Sequence, residues 1–379
     1  MIKPRLLYVF WALDGVAIIA ATVFAMQTLA AARRVTYDMP VARQVMEEAQ
    51  KLVREMKPTP PEAARLYAYA STAYAQAYKS TNSPAQGMDA AQTVMTALYP
   101  ERAKEIADDL SIRRRDDALQ PFKIDKSTST KTLVERIHQD GFDLVWDGVV
   151  PAGPGKWTQE KAAPFSPRAG EWKRWHTLSA MTVPAPPVPG SAEDRDELAK
   201  VVLATGRRDG DWTAKINFWG GVPGSDTPSG IWQNQLYTTV KDELPKTGAV
   251  REDAYAQMQM ILAQSLADSF MECWKVKYTY WTARPSMRES ISKGMDNPPF
   301  PGYVAGHATI SQTAADVLSV MVPKHTSDWQ AMAATAGESR VIAGIHFDND
   351  VQQGFILGHQ VAASIIATQH LKVTLPKKK

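Results

Sequence analysis

The chain has 379 residues, 44% of them hydrophobic, so it can bury a large core in one big domain or two moderate ones. Its 43 basic and 40 acidic side chains leave a formal net charge of +3, a balance that argues against a nucleic-acid partner. The single cysteine, Cys273, excludes an internal disulfide, so cysteine usage does not indicate a redox compartment. An anion bound by this protein must therefore be held by a local cluster of cations.

The N-terminal segment predicts export or membrane anchoring. Basic residues flank an apolar run from Leu6 to Ala32 that only Asp14 and Gln27 interrupt. The middle of the run suits the core of a signal peptide, and its small C-terminal residues suit a cleavage site. The whole run is also long enough for a transmembrane helix, at a cost for Asp14. Residues 1–34 are assigned to a signal peptide or a single anchor rather than a buried helix, and the rest is expected to face the periplasm.

Residues 35–145 are predicted to form an N-terminal helical bundle. Thr59-Pro-Pro-Glu62 and Ser83-Pro-Ala-Gln86 are capping boxes with proline at the first helical position, and they predict an antiparallel helix pair. One face of the first helix carries three tyrosines, Tyr67, Tyr74 and Tyr78. Such a stripe forms either a ligand platform or a core face, and helical spacing favours the core.

Residues 146–250 differ in composition from the rest of the chain. Eight prolines fall between Pro151 and Pro189, and seven of the eleven tryptophans fall between Trp146 and Trp232. Proline at this density excludes regular helix and strand, whereas disordered linkers are poor in aromatic residues. The region is therefore predicted to be an ordered loop and helical connection. It forms a lid or vestibule wall, or it holds two helical halves together, and the second interpretation is favoured.

The helical pattern returns in residues 251–379, the predicted C-terminal bundle, and the whole chain is predicted to be all-α. A helix starting near Asp253 has an apolar stripe that ends in a lysine: Tyr255, Met258, Leu262, Leu266, Phe270, Trp274 and Lys277. Arg284 follows, and Pro285 disfavours helical geometry there. Alone, Lys277 would be explained by a lysine that snorkels from a helix end.

A second helix is predicted to begin at Gly306 and His307. Its inward stripe comprises His307, Ile310, Ala314, Leu318 and Met321. Glycine allows close approach to the backbone, and the first turn of a helix offers unpaired N–H donors to an oxyanion. A lone histidine at such a place is more often structural, but this one has cations nearby.

A third segment adds an arginine, a histidine and a carboxylate. Arg340 shares an inward face with Trp329, Ala333, Ala336 and Ala343. His346 follows, and Asp350 stands four residues beyond it, where a carboxylate can fix the tautomer of the ring. Asp348 is interpreted as a cap of the helix that follows.

Together these segments place three inward cations and two histidines in one region: Lys277, Arg284, Arg340, His307 and His346. Buried unpaired cations are very costly, so a shared anion is the expected partner. Arginine forks and a compact lysine charge suit a tetrahedral oxyanion such as phosphate or vanadate.

The spacing forms a three-part motif: Lys277 with Arg284-Pro285, then Gly306-His307, then Ser339-Arg340 with His346 and Asp350. This pattern resembles the vanadium-dependent haloperoxidase and type 2 phosphatidic acid phosphatase superfamily. Segments at 60–67, 154–157, 218–219 and 227–232 look like its soluble bacterial haloperoxidase-like branch. The resemblance implies two packed helical bundles joined by long proline- and tryptophan-rich loops, with the oxyanion site in the second.

The resemblance also implies a role for each residue. His346 would bind the vanadium of vanadate or attack phosphorus to form a phosphohistidine, with Asp350 behind it. His307 would be the general acid–base. Trp274 and Phe300 match aromatic positions beside the halide site. The anion's equatorial oxygens would be held by Lys277, Arg284, the Gly306 amide and Arg340.

One position departs from the family pattern. The residue before the Gly-His pair is usually serine, whose hydroxyl bonds an anion oxygen, and here it is Ala305. Losing a hydrogen bond to a charged group costs about 1.5 to 3 kcal/mol, which predicts roughly ten- to a hundredfold weaker cofactor binding. Val304, where the lipid phosphatases have proline, is a lesser departure.

The leading hypothesis is a haloperoxidase, an oxidoreductase that oxidises halide with hydrogen peroxide at His346-bound vanadate. The alternative is an acid phosphatase, which hydrolyses a phosphate ester at the same site without a cofactor. A non-catalytic oxyanion-binding protein is a third reading. A non-haem iron centre from His346, Asp348 and His359 or His370 is a fourth, which the helical context disfavours.

Overall fold

The computed structural model describes residues 39–116, 119, 121–160, 162–246, 248–369 and 371. Within these ranges the chain forms twelve α-helices and no strand, and Lys156 and Thr282 make one isolated β-bridge. The predicted all-α class is therefore confirmed. None of the helices in these ranges is long and apolar enough to cross a membrane. The predicted signal peptide or anchor at residues 1–34 lies outside them.

The N-terminal part contains five helices: α1 (Val41–Met56), α2 (Pro60–Thr81), α3 (Pro84–Leu98), α4 (Ala103–Asp116) and α5 (Thr128–Ile137). The two capping signals start α2 and α3 as predicted. Thr59 donates its backbone N–H to the Glu62 carboxylate at 3.0 Å, and Ser83 Oγ accepts the Gln86 N–H at 3.4 Å.

The three tyrosines of α2 are core residues, as their spacing predicted. All are buried. Their hydroxyl groups donate to the carbonyl oxygens of Asp226 and Ala249 at 2.8 and 3.3 Å and to the Glu252 carboxylate at 2.6 Å. Because a buried tyrosine hydroxyl needs a partner, the stripe also ties α2 to the later helices.

Seven helices follow: α6 (Ala192–Thr205), α7 (Gly210–Phe218), α8 (Thr227–Val240), α9 (Ala249–Tyr280), α10 (Gly306–Met321), α11 (Thr326–Ile342) and α12 (Asp348–Gln369). Four 3-10 turns lie at Pro100–Arg102, Ala169–Glu171, Pro285–Met287 and Pro323–His325. Two starts differ from prediction. Helix α9 begins after Gly248, whose φ of 98° is accessible to glycine, and not near Asp253. Asp348 lies within the first turn of α12 and does not precede it.

The irregular segment 138–190, which the structure describes except for residue 161, makes specific contacts with both halves of the molecule. On the N-terminal side, Asp140 accepts a hydrogen bond from Arg65 Nε at 2.6 Å. The Trp157 indole packs on that of Trp281, with ring centroids 6.1 Å apart, and its backbone N–H donates to the Trp281 carbonyl at 2.7 Å. Asp268, buried within α9, accepts the backbone N–H groups of residues 175 and 176 at 2.7 and 2.9 Å. Specific hydrogen bonds and packed indoles therefore replace regular secondary structure, as the composition predicted.

Helix α9 joins the two halves, because it packs on α2 on one side and on α10 on the other. Its predicted apolar stripe is buried from Tyr255 to Trp274. One hydrophobic core extends through both halves. The bundle boundaries near residues 145 and 250 remain predictions.

Candidate active site

Lys277 lies in the last turn of α9 with a side chain that is 0% exposed. Its ammonium donates to the carbonyl oxygens of Pro301 and Gly302 at 2.9 and 2.7 Å. Nζ also lies 5.9 and 5.3 Å from the ring centres of Trp274 and Phe300. Burial lowers the pKa of Lys277 to about 7. The interpretation as a snorkelling lysine is therefore wrong, since the charge points into the protein.

Arg284 is equally buried and follows α9 in the extended conformation expected before Pro285, with φ −80° and ψ 156°. Nη2 donates to the Phe300 carbonyl at 3.1 Å. Nη1 lies 2.9 Å from both the Ile345 carbonyl oxygen and Nε2 of His346. Burial lowers the pKa of Arg284 to about 10.

Arg340 is the third fully buried cation and lies on α11, on the inward face that was predicted. Nη2 donates to the Ile216 carbonyl at 3.0 Å, and Nε donates to Ser339 Oγ at 3.0 Å. Nη1 donates to the thioether sulfur of Met295 at 3.1 Å. Burial, with a smaller contribution from Arg284, lowers the pKa of Arg340 to about 9.

His346 is held between a carboxylate and a guanidinium. Nδ1 lies 2.9 Å from Oδ2 of Asp350, and the Arg284 guanidinium lies 2.9 Å from Nε2. Because arginine can only donate, Nε2 is the acceptor and the ring proton lies on Nδ1, directed at Asp350. Burial lowers the pKa of His346 well below its usual value. The predicted pair therefore presents a neutral imidazole with its lone pair on Nε2.

Ala305 and Gly306 form the start of α10. The Ala305 N–H donates to the Asp350 carbonyl at 2.8 Å, which ties α10 to α12. Ala305 belongs to a small apolar cluster that includes Val341, Phe347 and Val351. A methyl group built on Gly306 would meet only ordinary contacts, at 3.8 to 3.9 Å, from Trp274, Cys273 and Lys277. The side chains of these residues therefore approach the Gly306 backbone to van der Waals distance, with room for a methyl group and little more.

His307, in the first turn of α10, is half-buried. Its Nε2 lies 2.6 Å from the Trp219 carbonyl oxygen and must donate, since a carbonyl only accepts. Burial first, and Arg340 second, lower the pKa of His307 well below its usual value. The neutral ring therefore has its lone pair on Nδ1.

Some of these groups line a cavity of about 290 Å³, whereas Lys277, Arg284 and Asp350 lie behind its wall and contact the lining residues Phe300 and His346. The Gly306 backbone lines the cavity, together with five polar or charged residues: Asp296, Asn297, His307, Arg340 and His346. Its other walls include four aromatic side chains, Phe165, Phe270, Trp274 and Phe300. The rings of the predicted halide-site pair are 4.9 Å apart. The structure thus brings together all the candidate site residues named from the sequence.

Several contributors were not predicted, and three of them make specific contacts in the site. Phe165, from the proline-rich segment, lines the cavity, and its carbonyl accepts the Trp274 indole N–H at 3.1 Å. The loop before α10 contributes Met295, and the carbonyl of Trp219 binds His307. A carbonyl is common to every residue and gives no sequence signal, whereas Phe165 shows that the middle region also forms part of a vestibule wall.

The iron-centre hypothesis receives no support from the side chains that the structure describes. They include no group of three or more His, Cys, Asp or Glu suited to hold a metal ion. His359 is 72% exposed and bonds Asp316 at 2.8 Å, and the second alternative, His370, lies outside the described residues.

The residues present fit an oxyanion. Within the described ranges, the hydrogen-bond acceptors of Lys277, Arg284 and Arg340 are carbonyl oxygens, a hydroxyl, a thioether and an imidazole nitrogen, and no carboxylate. Three desolvated cations with only neutral acceptors are compensated when an anion shares them.

The chain is similar to known proteins both in sequence and in fold. Residues 322–373 match the model of the VCPO second helical-bundle domain. The crystal structure of the first bacterial vanadium-dependent iodoperoxidase superposes with a TM-score of 0.70 at 16% identity, over 86% of this chain and 95% of that one. A holo-type bacterial vanadium-dependent chloroperoxidase superposes with a TM-score of 0.65 at 11% identity, over 85% and 93% of the two chains.

A curated protein matches a short part of the chain. An acid phosphatase of Zymomonas mobilis subsp. mobilis (strain ATCC 31821 / ZM4 / CP4) is 32% identical over 63 residues, which are 17% of this chain and 24% of that protein. The match spans about a quarter of the length of the relative. The predicted resemblance and fold are thus confirmed, and the reaction is a separate question.

Proposed function

We propose that this chain, which has the fold of the vanadium haloperoxidases, oxidises halide with hydrogen peroxide at a vanadate held by His346. The observation that carries the proposal is a histidine whose Nε2 accepts a hydrogen bond from the fully buried Arg284, with two further fully buried cations, Lys277 and Arg340, close enough to lower its pKa. Such a site favours a tetrahedral oxyanion over a neutral ligand or a metal cation.

The residues that would hold vanadate are His346 through Nε2, with Lys277, Arg284, Arg340 and the Gly306 amide around its oxygens. When bound, vanadate supplies a Lewis-acidic centre that activates peroxide for oxygen transfer to a halide. The guanidinium and ammonium groups neutralise the charge on the anion in a site shielded from water, where electrostatic interactions are strong.

The two histidines divide the remaining work. Asp350 keeps the His346 proton on Nδ1, so that Nε2 retains the lone pair for bonding. The Trp219 carbonyl holds the Nε2 proton of His307, which leaves Nδ1 of that ring to accept a proton from peroxide. The lowered pKa of His307 keeps it a free base at neutral pH. Trp274 and Phe300 offer an apolar wall suited to a polarisable halide.

An acid phosphatase is the second candidate, and the short match to the Zymomonas enzyme favours it. In this reaction, Nε2 of His346 attacks phosphorus while the bond from phosphorus to the ester oxygen breaks. His307 must first take up a proton on Nδ1 at acid pH; it then donates this proton to the departing alkoxide and takes one back from the water that cleaves the phosphohistidine. The same cations stabilise the five-coordinate phosphorus.

One paired assay separates the two reactions. The full chain, with and without orthovanadate, is tested for peroxide-dependent bromination of a phenol and for hydrolysis of a phosphomonoester. We expect bromination only after vanadate loading, and its loss in His346→Ala and His307→Ala but not in His359→Ala, a change at an exposed histidine outside the cavity. Hydrolysis that vanadate inhibits, without bromination, would instead establish the phosphatase. Binding of vanadate without either turnover would identify a non-catalytic binding protein.

We also propose that residues 1–34 export the protein or anchor it on the periplasmic side. The proposal rests on the apolar run from Leu6 to Ala32. Cell fractionation with N-terminal sequencing tests it: the protein should appear in the periplasmic or membrane fraction, cleaved near residue 32 or intact. Recovery only in the cytoplasm would contradict export.

A further inference from the structure

A methionine sulfur lies in the wall of the active-site cavity. Met295 is half-buried, lines the cavity together with His307 and His346, and receives the Arg340 Nη1 hydrogen bond on its sulfur at 3.1 Å. A thioether is a weak acceptor, so a carbonyl or carboxylate would compensate a buried guanidinium better. A thioether is also readily oxidised by two electrons. The cavity therefore contains an oxidisable group within hydrogen-bonding distance of an anion-binding cation.

We propose that Met295 is a modification site, converted to methionine sulfoxide by hypohalous acid formed in this cavity. The inference rests on the proposed haloperoxidase function, which supplies the oxidant. The sulfur lone pair attacks the halogen of hypohalous acid and releases hydroxide. Water then adds to the halosulfonium sulfur, and halide and two protons depart. Sulfur loses two electrons and the halogen gains two, so the net products are sulfoxide, halide and one proton.

The position of Met295 makes it an early target of this oxidant. Hypohalous acid formed beside His346 contacts the cavity wall before it is diluted into solvent, so a wall residue experiences a high effective concentration. The other side chains of the wall that hypohalous acid attacks are the Trp274 indole and the imidazoles of His307 and His346, and a thioether reacts with this oxidant faster than these rings do.

The chain contains a closely matched control. Met56, at the end of α1, is also half-buried and also accepts an arginine hydrogen bond on its sulfur, from Arg102 Nη1 at 3.0 Å. It is not among the residues that line the cavity. Met321, buried on α10, is a second control that lies in the same tryptic peptide as Met295. The three methionines separate site-generated oxidant from bulk oxidant and from general unfolding.

The experiment uses the vanadate-loaded full chain with bromide and limiting hydrogen peroxide, and a phenol in the same tube reports bromination. Peptide mass spectrometry then measures the added oxygen at each methionine. A second sample receives the same amount of hypobromite from solution, and a third receives peroxide without bromide. During turnover, we expect Met295 to be oxidised about tenfold or more faster than Met56, because of its proximity to the source. Added hypobromite should oxidise the two at similar rates.

Each result decides between the claims. Bromination with preferential oxidation of Met295, absent in His346→Ala, supports the modification site. Bromination with equal oxidation of Met295 and Met56, or the same preference when hypobromite is added from outside, overturns it and leaves the haloperoxidase function standing. Absence of bromination in the reporter overturns the haloperoxidase function, and the inference with it.

Discussion

His346 has a hydrogen-bond acceptor beside one ring nitrogen and a donor beside the other. Together they keep the lone pair on Nε2, where it can bond a ligand. The Asp350 carboxylate accepts a hydrogen bond from Nδ1–H at 2.9 Å, while Arg284 donates one to Nε2 at 2.9 Å. An anion that bonds Nε2 and also takes up the Arg284 guanidinium satisfies both groups at once. A bound anion would therefore replace the hydrogen bond between Arg284 and His346. This exchange requires a lone pair on Nε2, and so depends on the tautomer that Asp350 selects.

Asp350→Asn tests this dependence. An asparagine that turns its NH₂ group to Nδ1 moves the ring proton to Nε2, where it opposes the Arg284 donor and abolishes the lone pair. We expect roughly 10- to 100-fold weaker vanadate binding, the usual consequence of losing a carboxylate behind a ligating histidine. Titration calorimetry with orthovanadate measures it. Asp348→Asn, in the same first turn of α12, is the control, and equal losses in both variants would contradict the tautomer argument.

Ala305 offers a gain-of-function test at the residue scale. Ala305→Ser introduces the serine of the haloperoxidase pattern that the sequence resembles. A hydrogen bond to a charged group is worth about 1.5 to 3 kcal/mol, so vanadate affinity should rise roughly ten- to a hundredfold. The same calorimetric titration reports the change. Ala308→Ser, in the same apolar cluster, controls for a buried hydroxyl alone. An unchanged affinity in Ala305→Ser would mean that the hydroxyl faces the cluster and not the anion.

At the scale of elements, the site depends on how closely α12 approaches α10. Gly354 and Gly358 of α12 lie against the start and first turns of α10, where Ala305 and Thr309 present carbonyl oxygens. This approach sets the distance between Asp350, on α12, and the Ala305 N–H that bonds its carbonyl at 2.8 Å. The two small residues therefore contribute to the site without touching the ligand.

Gly358→Ala tests the close approach. A methyl group at this position would lie 2.3 Å from the Thr309 carbonyl oxygen, so α10 and α12 must separate. Overpacking of this kind costs about 1 to 3 kcal/mol, and the free energy of unfolding from urea titration should fall by that amount, with weaker vanadate binding. Gly210→Ala is the matched control, because no atom lies within 4 Å of its added methyl group. Stability equal to that of the control would contradict the packing argument.

Helix starts and buried faces were largely predictable, and the reasons are local. Thr59 and Ser83 begin helices because capping side chains and an N1 proline act within one turn, and α9 buries its stripe because its apolar residues recur at helical spacing. The tryptophan content of the irregular segment indicated that it would be ordered. Because the segment has no hydrophobic period, the sequence did not indicate where Phe165 would lie. The Ile216 and Trp219 carbonyls that bind Arg340 and His307 depend on tertiary packing alone.

At the scale of the whole molecule, one hydrophobic core runs through both halves. An unfavourable buried charge in the N-terminal part therefore lowers the free energy of unfolding of the entire fold. Glu48 on α1 is buried, and neither carboxylate oxygen has a hydrogen-bond partner among the residues described. Its nearest cation, Arg113, is 4.0 Å away. Burial, reinforced by Asp109, raises the pKa of Glu48 to about 7. Between pH 4.5 and about 7, the folded chain therefore keeps a proton on Glu48, whereas the unfolded chain has lost it.

The pH dependence of stability follows from this difference. Above the unfolded pKa of 4.5 the unfolded state binds fewer protons at Glu48 than the folded state, so stability falls as pH rises from about 4.5 to about 7 and then levels off. Glu48→Gln removes the buried charge and should raise the melting temperature at pH 8, with a gain that disappears below pH about 4.5. Scanning calorimetry across this range measures it. Glu101→Gln, at an exposed position before α4, should follow the wild type. If Glu48→Gln raised the melting temperature equally at every pH, the destabilisation would come from the glutamate side chain itself and not from its ionisation.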